Sequence, residues 1–133
     1  MDRLKHAVAI LIEKDGRYLF VQRPSGDLFE GYWSPPTGKL EPGERQDQTV
    51  VREAMEELGL SVIPLHKVWD SITSTGEFTL HWWTARSHSF DITPQKEEIA
   101  GYQWVHPKEI RSLGKVFDTH IHFFENIDSF LKL

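Results

Sequence analysis

Two rhythms of apolar positions divide the chain. Residues 6–12, HAVAILI, form an unbroken and partly β-branched apolar run, the pattern of a strand buried on both faces. A turn at Lys14-Asp15-Gly16-Arg17 follows, and residues 18–22, YLFVQ, return as the second strand of a hairpin. The rhythm then changes to helical spacing over residues 47–58, where Val51, Ala54, Met55 and Leu58 make a stripe directed at a core and Gly59 stands at the position of a left-handed cap. Residues 61–69 and 78–85 read as two more strands around a Ser-Thr-Gly turn at 74–76, and residues 102–105 as a short one. Pro107 opens a short helix to 113, and Thr119 caps a last helix to about 131, with Ile121, Phe124, Ile127 and Leu131 as its stripe. Residues 25–32 and 91–101 are loops. This order predicts an α/β protein with a mixed sheet between helices.

With 133 residues and 39% apolar content, the chain holds one domain, 1–133, with a core of its own. A net charge of −5 disfavours stable nucleic-acid binding or attraction to an anionic membrane, while leaving room for a small anion met by local cations. The lack of cysteine removes disulfides, a thiolate nucleophile and thiolate zinc sites. No apolar run reaches spanning length and the N-terminus lacks a signal-peptide core, so a cytoplasmic protein without a membrane partner, monomeric or homodimeric, is expected.

The chemistry concentrates in residues 38–60, GKLEPGERQDQTVVREAMEELGL. Glu53, Glu56 and Glu57 stand at i, i+3 and i+4, on one face of the predicted helix, with Glu44 just upstream. Carboxylates gathered so closely repel one another and call for a cation. A hard divalent ion, Mg²⁺ or Mn²⁺, suits oxygen ligands. Gly38, Pro42 and Gly43 bend the lead-in sharply back over the helix start.

The spacing of this stretch resembles the Nudix box of the Nudix hydrolases: Gly38, five residues, Glu44, seven residues, then Arg52-Glu53-Ala54-Met55-Glu56-Glu57-Leu58-Gly59-Leu60. Ala54 stands where the family usually carries a bulkier aliphatic side chain, and Thr37 where it usually carries a glycine. The resemblance implies a Nudix-type α/β/α sandwich and metal-dependent hydrolysis of a nucleoside diphosphate linked to another moiety. It implies Glu53, Glu56, Glu57 and the Gly38 carbonyl as metal ligands, and Arg52 with Glu44 as the pair that orients Glu53. The general base is Glu53, Glu97 or Glu98; the two loop glutamates are considered because many relatives place an acidic residue ahead of a short strand. Arg23 either reaches substrate phosphates or is an exposed strand-end arginine.

Trp82 and Trp83 alternate across their strand and cannot share a layer. One of them can stack a nucleobase, and Trp83 is carried forward as substrate-binding. Asp118, Thr119 and His120 lie in a segment that in the family often reaches the base, with Asp118 the candidate. The expected substrate is a nucleoside triphosphate, oxidised or not, cut to monophosphate and pyrophosphate. A nucleotide-sugar or dinucleoside polyphosphate is the alternative. A non-catalytic nucleotide sensor would be expected to lose box glutamates, and an isoprenoid diphosphate isomerase of this fold would need the cysteine this chain lacks.

Overall fold

Strand β1 (Lys5–Lys14) runs through the middle of the molecule because both of its faces are apolar. The computed structural model describes residues 5–131, so both ends of the expected 1–133 domain lie outside the described residues. Val8, Ile10 and Ile12 point to one side of β1, and Ala7, Ala9 and Leu11 to the other; each set enters a separate core. The expectation of a doubly buried strand is met.

Around β1 a single seven-stranded mixed sheet assembles. β2 (Arg17–Gln22) pairs antiparallel to β1 through the hairpin, with Asp15 at φ 51 and Gly16 at φ 80 in the turn. β3 (Trp33–Ser34) extends β2 on its outer side. β4 (Thr37–Lys39) pairs antiparallel with β1 at Ala7–Ala9. β5 (Val62–Ile72) and β6 (Phe78–Ser87) form an antiparallel pair with register shifts at Pro64/His66 and Lys67/Trp69, and β6 lies parallel to β1. β7 (Gly101–Val105) completes the sheet against β2.

Helix α1 (Gln46–Leu58) covers one face. Its buried stripe is Val50, Ala54 and Leu58, with Thr49 beside it; Val51 and Met55, expected in the core, are 42% and 51% exposed. Ala54 and Leu58 hold the core-facing line as expected, and Val50 takes the place expected of Val51. That shift turns Glu53 and Glu57 toward the flank of the core rather than fully to solvent. Ala54, fully buried, suits the close approach of the helix to the sheet. Gly59 caps the helix in the left-handed region at φ 68, its N–H bonding the Met55 carbonyl at 3.0 Å while Leu60 N–H reaches Ala54.

The opposite face is covered by a 3₁₀ helix (Pro107–Leu113), α2 (Asp118–Glu125) and α3 (Ile127–Leu131). A continuous last helix was expected. It breaks at Asn126, whose side-chain amide donates to the His122 carbonyl at 2.9 Å and whose own φ is −121. Phe123, Phe124 and Ile127 carry the buried stripe, and Phe123 stacks on Trp82 at 4.5 Å between centroids. Trp82 is fully buried and donates to Ser71 Oγ at 2.9 Å. The adjacent Trp83 points to the α1 side, half-buried, and donates to Gln46 Oε1 at 2.9 Å. The alternation read from the sequence places the two rings in different layers, as found.

Replacing Trp82 with Ala should destabilise the protein by about 3–5 kcal/mol, the range for a deleted core aromatic. Trp83→Ala, at a partly exposed site, should cost less than half as much. Urea unfolding followed by far-ultraviolet circular dichroism measures both, and equal losses would contradict the two-layer packing.

Candidate active site

Arg52 ties Glu44, Glu53 and Glu56 together. Its guanidinium donates from Nε and Nη2 to the two oxygens of Glu44 at 2.8 and 2.9 Å, from Nη1 to Glu53 at 2.9 Å and Glu56 at 3.1 Å, and from Nη2 to the Lys39 carbonyl at 2.9 Å. The planar fork of five donors makes this possible; an ammonium group could not reach as many partners in one plane. Glu44 also accepts from Thr49 Oγ1 at 2.7 Å and from the Glu41 N–H at 3.0 Å. Hydrogen bonds from Arg52 hold the Glu44 carboxyl down at about 2. The turn 41–44, strand β4 and helix α1 are thereby clamped together.

Gly38 is required by that clamp. A Cβ there would stand 2.1 Å from Glu53 Cγ and 2.2 Å from its carboxyl carbon. No side chain fits, so the Glu53 carboxylate lies directly against the backbone of β4. Thr37, the departure from the family pattern, sits one residue earlier, where β4 pairs with Ala9.

Along α1, Glu57 follows Glu53 by one turn. Burial raises the Glu57 carboxyl to about 9, with Glu53 and then Glu98 adding like-charge repulsion and Arg23 opposing the rise. Burial likewise raises Glu53, although the bond and charge of Arg52 act against it, and the two carboxyls hydrogen-bond to each other. Glu98 reaches this group because the loop 91–100 is tied to the end of α1: Thr93 N–H donates to the Leu58 carbonyl and Gln95 N–H to the Glu57 carbonyl, each at 2.8 Å, and Glu98 N–H closes a turn on Gln95 at 2.9 Å. These bonds also satisfy carbonyls that the helix end leaves open.

The acidic group forms part of the wall of a cavity of about 850 Å³. Of the residues singled out in the sequence, Arg23, Gly38, Glu53, Glu56, Glu57 and Glu98 line it; Glu97 does not. Arg23, at the end of β2, pairs with Asp27 at 3.7 Å. Trp83 and Asp118 are not among the lining residues. Trp83 is engaged with Gln46 at the start of α1, and Asp118 faces a shallow groove with Arg111 and Glu125 on the outer side of α2. Its neighbours Phe117, Thr119 and His120 turn to the cavity instead.

The sequence reading missed two parts of the wall. One is the hydroxyl-bearing run Ser71, Thr73, Ser74 and Thr75 around the β5–β6 turn. The other is Leu28 and Phe29 in the loop 25–32, where Phe29 meets Phe117 edge-on at 4.9 Å and Tyr32 at 5.5 Å. Large apolar side chains in a loop bounded by Gly26 and Gly31 were the available signal for the second.

The donor set suits a hard divalent cation. Glu53, Glu56, Glu57 and Glu98 offer carboxylate oxygens, and the bare backbone of Gly38 lies against Glu53. Among the described residues no three His, Cys, Asp or Glu side chains already converge as a finished cage. The reason is visible in the contacts: Arg52 holds Glu53 and Glu56, and Glu53 and Glu57 hold each other. A cation exchanging with those bonds would relieve the repulsion that burial creates.

A family model described as the NUDIX domain matches residues 2–127. A CTP pyrophosphohydrolase of Escherichia coli (strain K12) is 33% identical over 107 residues, which cover 80% of this chain and 79% of that protein. An 8-oxo-dGTP diphosphatase of Proteus vulgaris is 35% identical over 60 residues, 45% of this chain and 54% of that protein. Among solved structures, a MutT protein from Methanosarcina mazei Go1 superposes with a TM-score of 0.83 at 23% identity, covering 100% of this chain and 99% of the other, a likeness of fold. The E. coli ORF135 protein superposes with a TM-score of 0.75 at 26% identity, covering 96% and 90%.

The raised Glu57 carboxyl makes a prediction about stability without metal. An acid whose folded value is about 9 lets the folded state keep a proton that the unfolded chain loses near 4.5. Its contribution is complete below 4.5 and is lost progressively as pH rises from there toward 9. Glu57→Gln, which cannot ionise, should melt close to the parent at pH 4 and above it at pH 8 in EDTA; a constant gap across that window would contradict the burial of this carboxyl.

Proposed function

Because this chain belongs to the Nudix family and is an enzyme that cleaves pyrophosphate linkages in nucleotide substrates, we propose that it converts a nucleoside triphosphate, normal or oxidised, to the monophosphate and pyrophosphate. The single observation that carries the reading is the meeting of the Glu53–Glu57–Glu98 group with Arg23 in the wall of one cavity that aromatic and apolar side chains also line. A triphosphate brings anionic oxygens for the first and a flat base for the second. Two of the relatives, a CTP pyrophosphohydrolase and an 8-oxo-dGTP diphosphatase, are named for substrates of this type. One Nudix domain over 1–133 is part of the same proposal.

In the reaction, water attacks one phosphorus of the anhydride, the bridging oxygen departs with the other phosphate, and one proton is released. Mg²⁺ or Mn²⁺ held by Glu53, Glu56, Glu57 and the Gly38 carbonyl would neutralise phosphate oxygens and acidify a bound water. Arg52 and Glu44 fix the direction of Glu53, since one oxygen of that carboxylate is occupied by Arg52 Nη1. Arg23 supplies a cation for the phosphate chain. Glu98 is the group assigned to take the proton from water: it lies on a loop pinned to α1 and, unlike Glu53, receives no bond from Arg52. The dense hydrogen bonding around Glu44 and Arg52 keeps both outside the proton traffic.

Glu57→Gln should abolish Mg²⁺-dependent release of pyrophosphate while leaving the circular dichroism spectrum unchanged; retained turnover would remove Glu57 from the metal site. Glu98→Gln should lower kcat by about 10²–10⁴, the usual scale for losing a general base, with KM little changed. Arg23→Ala should mainly raise KM. A panel of nucleoside triphosphates, oxidised triphosphates, nucleotide-sugars and dinucleoside polyphosphates tests the substrate class, and turnover confined to either of the last two groups would replace it.

A further inference from the structure

Thr49 lies one turn into α1 and is 0% exposed, so its hydroxyl depends on the protein for a partner. A hydroxyl has one proton to give. Two acceptors stand within reach: Glu44 Oε1 at 2.7 Å and the Arg45 carbonyl, four residues back, at 3.1 Å. A threonine inside a helix ordinarily bonds that carbonyl. Here the carbonyl already accepts the Thr49 backbone N–H at 3.0 Å, and the carboxylate is both the nearer and the charged acceptor, so the proton goes to Glu44. The helix gains nothing from the hydroxyl, since alanine would fill the position with better propensity and bury no polar group. Thr49 therefore serves Glu44 rather than α1.

Glu44 Oε1 gathers three donors, the Glu41 N–H at 3.0 Å, Thr49 Oγ1 at 2.7 Å and Arg52 Nη2 at 2.9 Å, while Oε2 takes Arg52 Nε at 2.8 Å. The two arginine bonds form a fork that fixes carboxylate and guanidinium relative to each other. By itself the fork leaves the joined pair free to swing about the Glu44 side chain. The remaining two donors stop that motion, one from the 41–44 turn and one from the helix. Once the plane of Arg52 is set, so is the position of Nη1, from which Glu53 and Glu56 take their bonds at 2.9 and 3.1 Å. A chain of hydrogen bonds thus runs from the buried hydroxyl through Glu44 and Arg52 to the proposed metal ligands.

We infer that Thr49 is a positioning residue for the metal centre: its hydroxyl holds Glu44, Glu44 holds Arg52, and Arg52 sets the direction of Glu53 and Glu56. The inference rests on the proposed function and extends the metal site by a residue that touches neither metal nor substrate. Carboxylates already aimed lose less freedom when a cation takes them, so the hydroxyl is expressed in the affinity for metal and not in the fold.

Mn²⁺ is the probe, because the paramagnetic signal of the free ion reports binding without any substrate. Thr49→Val keeps the shape of the side chain and removes the hydroxyl. It should raise the Mn²⁺ dissociation constant about tenfold, the lower end of the loss that follows removal of a partner behind a metal ligand. Thr49→Ser, which returns a proton donor at the same atom, should recover most of that affinity. In the metal-free protein the Nε–H resonance of Arg52, read by ¹H–¹⁵N correlation, should exchange with water faster in the Val variant than in the parent or the Ser variant. A role confined to stability would move neither reading at a temperature where far-ultraviolet circular dichroism shows the variants folded. Unchanged Mn²⁺ affinity in the Val variant overturns the inference, and so does tighter binding, the result expected if a loosened Arg52 only competes less for Glu53. Exchange of the Arg52 Nε–H at the parent's rate overturns it as well. Should Thr49→Val fail to fold, Thr49→Ala carries the same expectations. If Mn²⁺ binding responds to these changes while no triphosphate is turned over, the proposed substrate fails and the role of Thr49 stands; if the parent binds no Mn²⁺, both fall.

Discussion

One guanidinium ties the chemistry to the fold. Arg52 spans three separate pieces of chain: the turn that carries Glu44, the β4 carbonyl of Lys39 and the α1 carboxylates Glu53 and Glu56. Without that fork, α1 would still bury Val50, Ala54 and Leu58 against the sheet, since those contacts are apolar and independent of it. What would be lost is the azimuth of Glu53, which lies so near β4 that residue 38 has no room for a Cβ. The dependence runs both ways. Arg52 can be half-buried only because Glu44 neutralises it at short range, and Glu44 in turn is saturated by Thr49 and the Glu41 backbone. Removing one partner from such a group leaves the others with uncompensated charge, which costs far more than the pair gains on its own.

The remaining acids are arranged against their own stability. Glu57 is half-buried beside Glu53, with Glu98 adding like charge and Arg23 acting in the opposite direction. A fold selected for stability alone would place a hydrophobic side chain at this position, one turn beyond Glu53 on the flank of an otherwise apolar helix face. Local rules are broken where a protein has something to bind, and a cation held here would remove the repulsion. Gly59 and the loop 91–100 close the C-terminal end of α1 by backbone hydrogen bonds, which satisfy carbonyls of the turn that carries Glu57.

Much of this was legible in the sequence, for identifiable reasons. β1 declared itself by a run of six apolar residues after His6, and α1 by its acidic spacing and its terminal glycine. Of the expected α1 stripe Ala54 and Leu58 are buried, while Val51 gives way to Val50 because the two are adjacent and equally apolar, and only the sheet beneath decides between them. The break at Asn126 was hidden because the apolar stripe continues through it from Phe124 to Ile127. Trp83 was read as a base-stacking residue since a strand position says which face a ring occupies but not whether that face meets a cavity or a helix; here it meets the start of α1. Asp118 likewise lies on α2 one residue away from two that line the cavity, and itself borders a groove on the outer side of the helix.

The division between what could be read and what could not follows the division of labour in the cavity. The proposed metal ligands, the Gly38 carbonyl and Glu53, Glu56 and Glu57, sit on β4 and α1, regular elements whose spacing is written in the sequence as fixed intervals. The surfaces left for the remainder of the substrate come from the loop 25–32, the β5–β6 turn and the start of α2, three segments separated by up to ninety residues in the chain and joined only by the fold. Such segments change without disturbing the sheet, and so they are where members of one fold diverge in substrate. His120 belongs to this second group: its burial depends on Trp82 from β6 and Phe117 from the preceding loop, a partnership that no interval in the sequence announces. A charged centre built on regular elements and a wall built from loops are the expected outcome in a fold where phosphate chemistry is constant and the group attached to the phosphates is not.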